Sequence, residues 1–304
     1  PGTQETVTRH GREKRSHPSP FWLCQHIGRR RMSFEYSQNK IHDFLDCPRK
    51  FELRYLEKRI WPGIKTQPIQ EFEQHVENGR KFHLFAQQLL IGIDAEKIEA
   101  QIDNDQLRTW WNSLFLFTGT LKGFTFIPEC VLRTPLKQYR LVGIFDLLAF
   151  KPGEKFYIFD WKTNLKKPIR SQLKNSIQTR VYPFLLASNG SQWNSGNKID
   201  PDQIEMVYWF SNFPGQSEGF LYDRVQFESD QNYLFDLIQK IEGTPSGSFQ
   251  LTDNYKICKY CNYRSLCDRG VEPGDYKNLD EDEFEYFYEE IEDIDLSQIG
   301  EMAF

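Results

Sequence analysis

The chain has 304 residues, 39% of them hydrophobic and 27% charged, with a formal net charge of −5, enough to bury one large core or two modest ones. No apolar run approaches the ~20 residues that cross a bilayer, and Phe21-Trp22-Leu23-Cys24 is too short for a secretory leader, so the sequence reads as soluble and cytoplasmic with no membrane partner. The charge is uneven, +5 over residues 1–31 and −11 over residues 275–304, so the acidity lies in one tail and a nucleic-acid partner is not excluded.

Residues 1–31 mix Ser, Pro, Gly and basic side chains without hydrophobic period and read as a disordered extension ahead of a start at Met32. From Ser37, a candidate N-cap, apolar residues recur at helical spacing to Leu56, interrupted at Cys47-Pro48, where proline must bend or restart the helix. Gln70–Leu90 is predicted as a second helix, carrying His75 and His83, and Ala95–Phe117 as a third, with Trp110 and Trp111 in the core. Phe124–Leu136 is the first long strand. Its Glu129 could support a metal from outside the ligand sphere or could be an ordinary edge-strand charge.

The next two strands are the centre of the chain. Leu141–Phe150 is nearly unbroken apolar, the pattern of a strand covered on both faces, yet it carries Asp146. After the turn signal Pro152-Gly153, Phe156–Phe159 runs into Asp160-Trp161-Lys162, and the two-residue period puts Asp160 and Lys162 on one face. Pairing Phe150 with Phe156 sets Asp160 opposite Asp146, whereas pairing Phe150 with Lys155 sends Asp146 to the other side. The first register is expected. Two carboxylates across a ladder repel, and a divalent cation is the obvious remedy.

From Lys162 to Ile199 there is no Asp or Glu, while Lys166, Lys167, Arg170, Lys174 and Arg180 accumulate. A phosphate backbone would select such a stretch, and a solvated face with counter-ions from elsewhere would look the same. Ser171–Ser188 is predicted as a helix bent at Pro183, with Gln178 and Tyr182 four apart on one face. Gln203–Phe213 and Glu218–Phe227 read as a strand hairpin, and Asp230–Glu242 as a helix. The six cysteines, without a leader, suggest ligands or free thiols rather than disulfides. Cys258, Cys261 and Cys267 have C-x2-C-x5-C spacing, a strong metal-binding signal, with Cys47 as the distant fourth ligand and Cys24 and Cys130 left over.

Gly143-Ile144-Phe145-Asp146 followed by Asp160-Trp161-Lys162 resembles the Gly-x-x-Asp and Asp/Glu-x-Lys signature of the PD-(D/E)xK nuclease superfamily. The Gln178-x3-Tyr182 spacing and the Cys47-Pro48-Arg49-Lys50-Phe51 phrase with the C-terminal cysteines resemble its RecB branch, including helicase–nuclease subunits and CRISPR-associated spacer-acquisition nucleases. The resemblance covers roughly Ser37–Cys267. It implies an α/β fold with a restriction-endonuclease-like αβββαβ core, a mixed central sheet flanked by helices, and helical N-terminal additions. Residues 32–272 would form the nuclease domain and 273–304 an acidic aromatic tail.

The implied activity is metal-dependent hydrolysis of DNA, as an exonuclease on single-stranded ends, in DNA repair, recombination or CRISPR-type processing, with a separate helicase or adaptation protein as partner. By the same resemblance, His83 (His75 being the weaker candidate), Asp146, Asp160 and the carbonyl of Trp161 would hold Mg²⁺ or Mn²⁺, with Lys162, Gln178 and Tyr182 completing the site. Asp160 stands where many members carry Glu. The four cysteines would hold a 4Fe-4S cluster, although four thiolates also suit zinc. A non-catalytic DNA-binding or assembly subunit is the alternative from another class.

Overall fold

In the computed structural model, the sheet is laid down around the predicted strand pair. The residues described are Gly2, 34–61, 63–64, 66–275 and Lys277. The N-terminal extension, Cys24 and nearly all of the acidic tail lie outside them, and those expectations with them.

A short strand β1 (Glu35–Tyr36) leads into α1 (Gln38–Asp46), whose N-cap is Ser37, its hydroxyl accepting from Lys40 N at 3.3 Å. The helix stops at Cys47 and restarts as α2 (Pro48–Phe51), then widens into a π-turn over Glu52–Leu56. β2 (Thr66–Gln67) precedes α3 (Ile69–Leu90). The predicted third helix is two, α4 (Ala95–Glu99) and α5 (Asp105–Thr118), because Asn104 leaves the helical region and caps α5, accepting from Leu107 N at 2.9 Å.

Then come β3 (Thr125–Leu136), β4 (Tyr139–Lys151) and β5 (Lys155–Lys162). The helix predicted to bend at Pro183 breaks instead at Ser176, between α6 (Arg170–Asn175) and α7 (Ile177–Asn189). Ser176 caps α7 and Pro183 sits within it. β6 (Ile204–Phe210) and β7 (Glu218–Leu221) form the expected hairpin. The second predicted strand is too long, since Asp223 caps α8 (Arg224–Gly243), taking Phe227 into the helix. α9 (Tyr255–Cys258) and β8 (Gly274–Asp275) complete the chain.

The described sheet is mixed. β3, β4 and β5 are antiparallel neighbours, β5 and β6 are parallel, β7 closes one side, and β1 lies parallel to the start of β4. Phe150 pairs with Phe156, the expected register, but the ladder ends at Leu147–Phe159, so Asp146 and Asp160, the next position along, are not paired. The hairpin closes through a three-residue loop between Lys151 and Lys155, with Gly153 at φ +78°.

Leu148, Phe150 and Ile158 join α1, α7 and α8 in one core, while Leu147, Ala149, Phe159 and Trp161 join α3 and α5 in the other. Helices on both faces explain why these strands read as continuous apolar runs. The architecture is α/β with a mixed sheet flanked by helices, as expected for a restriction-endonuclease-like core.

Candidate active site

The side-chain alternation of β3 and β4 changes face at one rung. Cys130, Leu132, Leu141 and Phe145 belong to the α7-side core, whereas Phe124, Phe126, Leu147 and Ala149 belong to the α3 side. Glu129 and Asp146 occupy the crossover, between the rungs Pro128–Leu147 and Cys130–Phe145. Glu129 takes φ +49°, a left-handed conformation costly for a residue with a Cβ.

The reversal brings Asp146 to His83 on α3, whose Nδ1 lies 3.2 Å from Asp146 Oδ1. One ligand atom from each of His83, Glu129 and Asp146 lies within 4.8 Å of the others, all three half-buried. A nitrogen and two carboxylate oxygens at that spacing fit a divalent ion. Glu129 thus stands closer to the centre than its sequence suggested. Its β-strand position gave no sign of the turned backbone.

β5 parts from β4 beyond the rung Leu147–Phe159, and Trp161 N–H donates to Asp146 Oδ2 at 2.6 Å instead of to a strand carbonyl. The Asp146 carboxylate therefore meets the backbone between Asp160 and Lys162. Asp160 does not join the three-residue group at its 4.8 Å spacing. It is 3% exposed, it accepts a hydrogen bond from Gln178 Nε2 on α7, and its Oδ2 is 3.0 Å from Lys162 Nζ. Removing Lys162 would leave the buried Asp160 carboxylate without its counter-charge.

Tyr182 also faces the protein. Its ring centroid is 4.9 Å from that of Phe145, and a Cβ built on Gly143 would stand 3.1 Å from Tyr182 Cε1 and 2.6 Å from Leu185 Cδ1. The glycine of Gly-x-x-Asp is there because α7 crosses β4 too closely for a side chain. At 5% exposure, the Tyr182 ring is packed between α7 and the sheet. His75 is core. It lies edge-on to Trp110 at 5.9 Å, and burial, partly offset by the Thr163 backbone, lowers its pKa to about 4.

The acid-free stretch finds counter-ions later in the chain. Glu218 lies 2.7 Å from Lys167 and 2.6 Å from Arg170, chiefly the Lys167 bond holding its carboxyl below the usual range. Arg180 binds Asp230 at 2.7 Å. Asp230 is fully buried, which raises its pKa, and it also accepts from Tyr222 and Gln226. Arg180 is therefore a structural cation, while Lys166 and Lys174 are exposed on the surface.

Cys47, Cys258, Cys261 and Cys267 line one cavity with Lys50 and Arg264. Burial raises the Cys258 and Cys267 thiols, Cys47 adds to the rise, and Arg269 opposes it. Among the described residues, no three of these sulfurs come within 4.8 Å of one another, so the four surround a space without converging on a point. The segments that carry them are tied together by Arg49 N donating to Gln250 O at 3.0 Å and Tyr263 OH to Arg59 O at 2.9 Å. Cys130 is a buried free thiol, pushed up to about 12 by burial.

No curated protein matches the sequence. Among solved structures, SSO0001 is similar at 13% identity, over 77% of this chain and 85% of that one, with a TM-score of 0.34. A presumed exonuclease of Eubacterium rectale is similar at 9% identity, over 69% and 82%, with a TM-score of 0.43. The family model of the PD-(D/E)XK nuclease superfamily matches residues 35–268, a span that begins at β1 and ends just past Cys267. That match takes in the strands that carry Asp146 and Asp160 and most of the chain, and the protein belongs to the PD-(D/E)XK nuclease superfamily.

Proposed function

We propose that this nuclease is a Mg²⁺- or Mn²⁺-dependent exonuclease of the RecB branch that removes nucleotides from single-stranded DNA ends, with a 4Fe-4S cluster in the cysteine cavity. The observation that carries the reading is the convergence of His83, Glu129 and Asp146 beside the buried Asp160–Lys162 pair. His83, Glu129 and Asp146 would hold the ion, with Asp160 and the Trp161 carbonyl completing its surroundings. The imidazole favours Mn²⁺, while the oxygen ligands suit either ion. When bound, the ion supplies a water of lowered pKa and polarises the scissile phosphate.

The protein's own part is placement. Trp161 N–H fixes the Asp146 carboxylate, and Gln178 fixes that of Asp160. Asp160 in turn holds the Lys162 ammonium where it can orient the attacking water and offset charge growing on phosphate oxygens. Lys166, Arg170 and Lys174 are exposed cations of this stretch that would meet the DNA backbone. The cysteine cavity lies apart from this chemistry, and its cluster has a structural role.

Incubation with end-labelled single-stranded DNA and Mn²⁺ should give progressive shortening that Asp146→Ala abolishes. DNA left intact with either metal, or degraded equally by the variant, would overturn the reading.

A further inference from the structure

Two arginines in the cysteine cavity are short of acceptors. Arg264 is 4% exposed; its Nη1 donates to Cys261 O at 3.0 Å and its Nη2 to Val271 O at 2.9 Å. Its Nε is buried without a hydrogen-bond partner. Arg269 lies over the Tyr255 ring at 3.9 Å and donates from Nη2 to Thr252 O at 3.2 Å, and its Nη1 is likewise buried without a partner. Both side chains line the space that Cys47, Cys258, Cys261 and Cys267 surround.

A buried N–H left unpaired costs about 1–3 kcal/mol, more on a charged group, and a buried cation without an anion costs several. Lys50, the third cation on the same wall, already has Asp43 at 2.7 Å, and Arg54 shares that carboxylate at 3.0 Å. Neither arginine has an ion pair to a carboxylate among the described residues. What lies beside them is sulfur. Four thiolates around a core of charge +2 leave a dianion, whose charge two guanidiniums cancel and whose sulfurs accept hydrogen bonds.

We infer that Arg264 and Arg269 are positioning residues of the cysteine-ligated centre, donating from Arg264 Nε and Arg269 Nη1 to its sulfur and neutralising its dianionic charge. The inference rests on the cluster assigned above to this cavity. Arg264 has a second duty, since its two carbonyl bonds brace the loop from Cys261 to Val271, and the test must separate that bracing from the electrostatic role.

The full-length protein is purified anaerobically, and iron, sulfide and visible absorbance are measured for the wild type, Arg264→Gln, Arg264→Lys, Arg269→Gln and Arg269→Lys. Iron release to a ferrous chelator and the cluster's reduction potential are then followed. Loss of each guanidinium should speed iron release by about 10–100-fold and move the potential to more negative values, because a less positive surrounding disfavours the added electron. The Lys variants should regain much of the potential and less of the retention. Far-UV circular dichroism identifies any variant that fails to fold. Should Arg264→Gln fail, the less buried Arg269 pair decides.

A brown wild type whose Gln variants match it in potential and iron release would overturn this inference and leave the cluster in place. A colourless wild type without iron would overturn the cluster itself, and this inference with it.

Discussion

Glu129 faces Asp146 across the β3–β4 ladder from a left-handed backbone conformation at φ +49°, with ligand atoms of the two within 4.8 Å. Two acids on one rung repel, and a non-glycine residue in that region stores about 1–3 kcal/mol. Both costs fall where a cation would recover them. Glu129→Gln should weaken Mn²⁺ binding by about 10–100-fold, read by calorimetric titration. Glu129→Gly should instead stabilise the metal-free fold by about 1 kcal/mol while losing the same metal affinity. A Glu129→Gly protein less stable than wild type in urea would show that the conformation is not strained.

The close crossing of α7 over β4 makes Gly143→Ala a sensitive change. The added methyl meets Leu185 Cδ1 at 2.6 Å and the Tyr182 ring at 3.1 Å. The expected cost is about 1–3 kcal/mol, measured by urea denaturation. Because α7 also carries Gln178, activity should fall by more than the folded fraction does.

Arg180 and the exposed lysines should separate cleanly. Arg180→Ala leaves Asp230 buried without its cation, a loss of about 3–5 kcal/mol, with the salt dependence of DNA binding unchanged. Lys166→Ala and Lys174→Ala should leave stability within about 0.5 kcal/mol and reduce the slope of log affinity against log salt by about 1 each. An Arg180→Ala protein of normal stability but shallower salt slope would return that residue to the DNA-binding surface.

His75 gives a pH prediction with a definite sign. Burial, only partly offset by the Thr163 backbone, depresses its folded pKa from 6.5 to about 4, so protonation favours the unfolded chain. Its contribution is complete above pH 6.5 and is lost as pH falls towards 4, a change of about 3 kcal/mol. His75→Gln should flatten the stability curve across that window relative to wild type. Parallel curves would mean that the imidazole is accessible to protons in the folded protein.

The apolar pattern of β4 and β5, covered on both faces, left two registers open, and the one that sets Phe150 against Phe156 was expected only because it brings Asp146 and Asp160 towards one another. Phe150 does meet Phe156, but β5 leaves β4 after Leu147–Phe159, so the two acids do not face each other across a rung. The exchange of faces at Glu129 was not legible, since a left-handed residue inside a strand leaves no periodic trace, and a glutamate is not a residue that invites one. The counter-ions of Arg180 and Lys167 were hidden for another reason. They come from α8 and β7, some fifty residues onward, and an acid-free stretch says nothing about what folds against it. The breaks at Asn104 and Ser176 were missed because side-chain capping outweighed apolar spacing.

The cysteine cavity has one wall from the kink between α1 and α2 and the opposite wall from a loop some two hundred residues later. During vectorial synthesis, at about 5–20 residues per second, Cys47 leaves the ribosome many seconds before Cys267. Whatever occupies the cavity is therefore installed only once the nuclease sheet has been translated, so an unfinished polypeptide carries strands β3–β6 but no closed sulfur chamber.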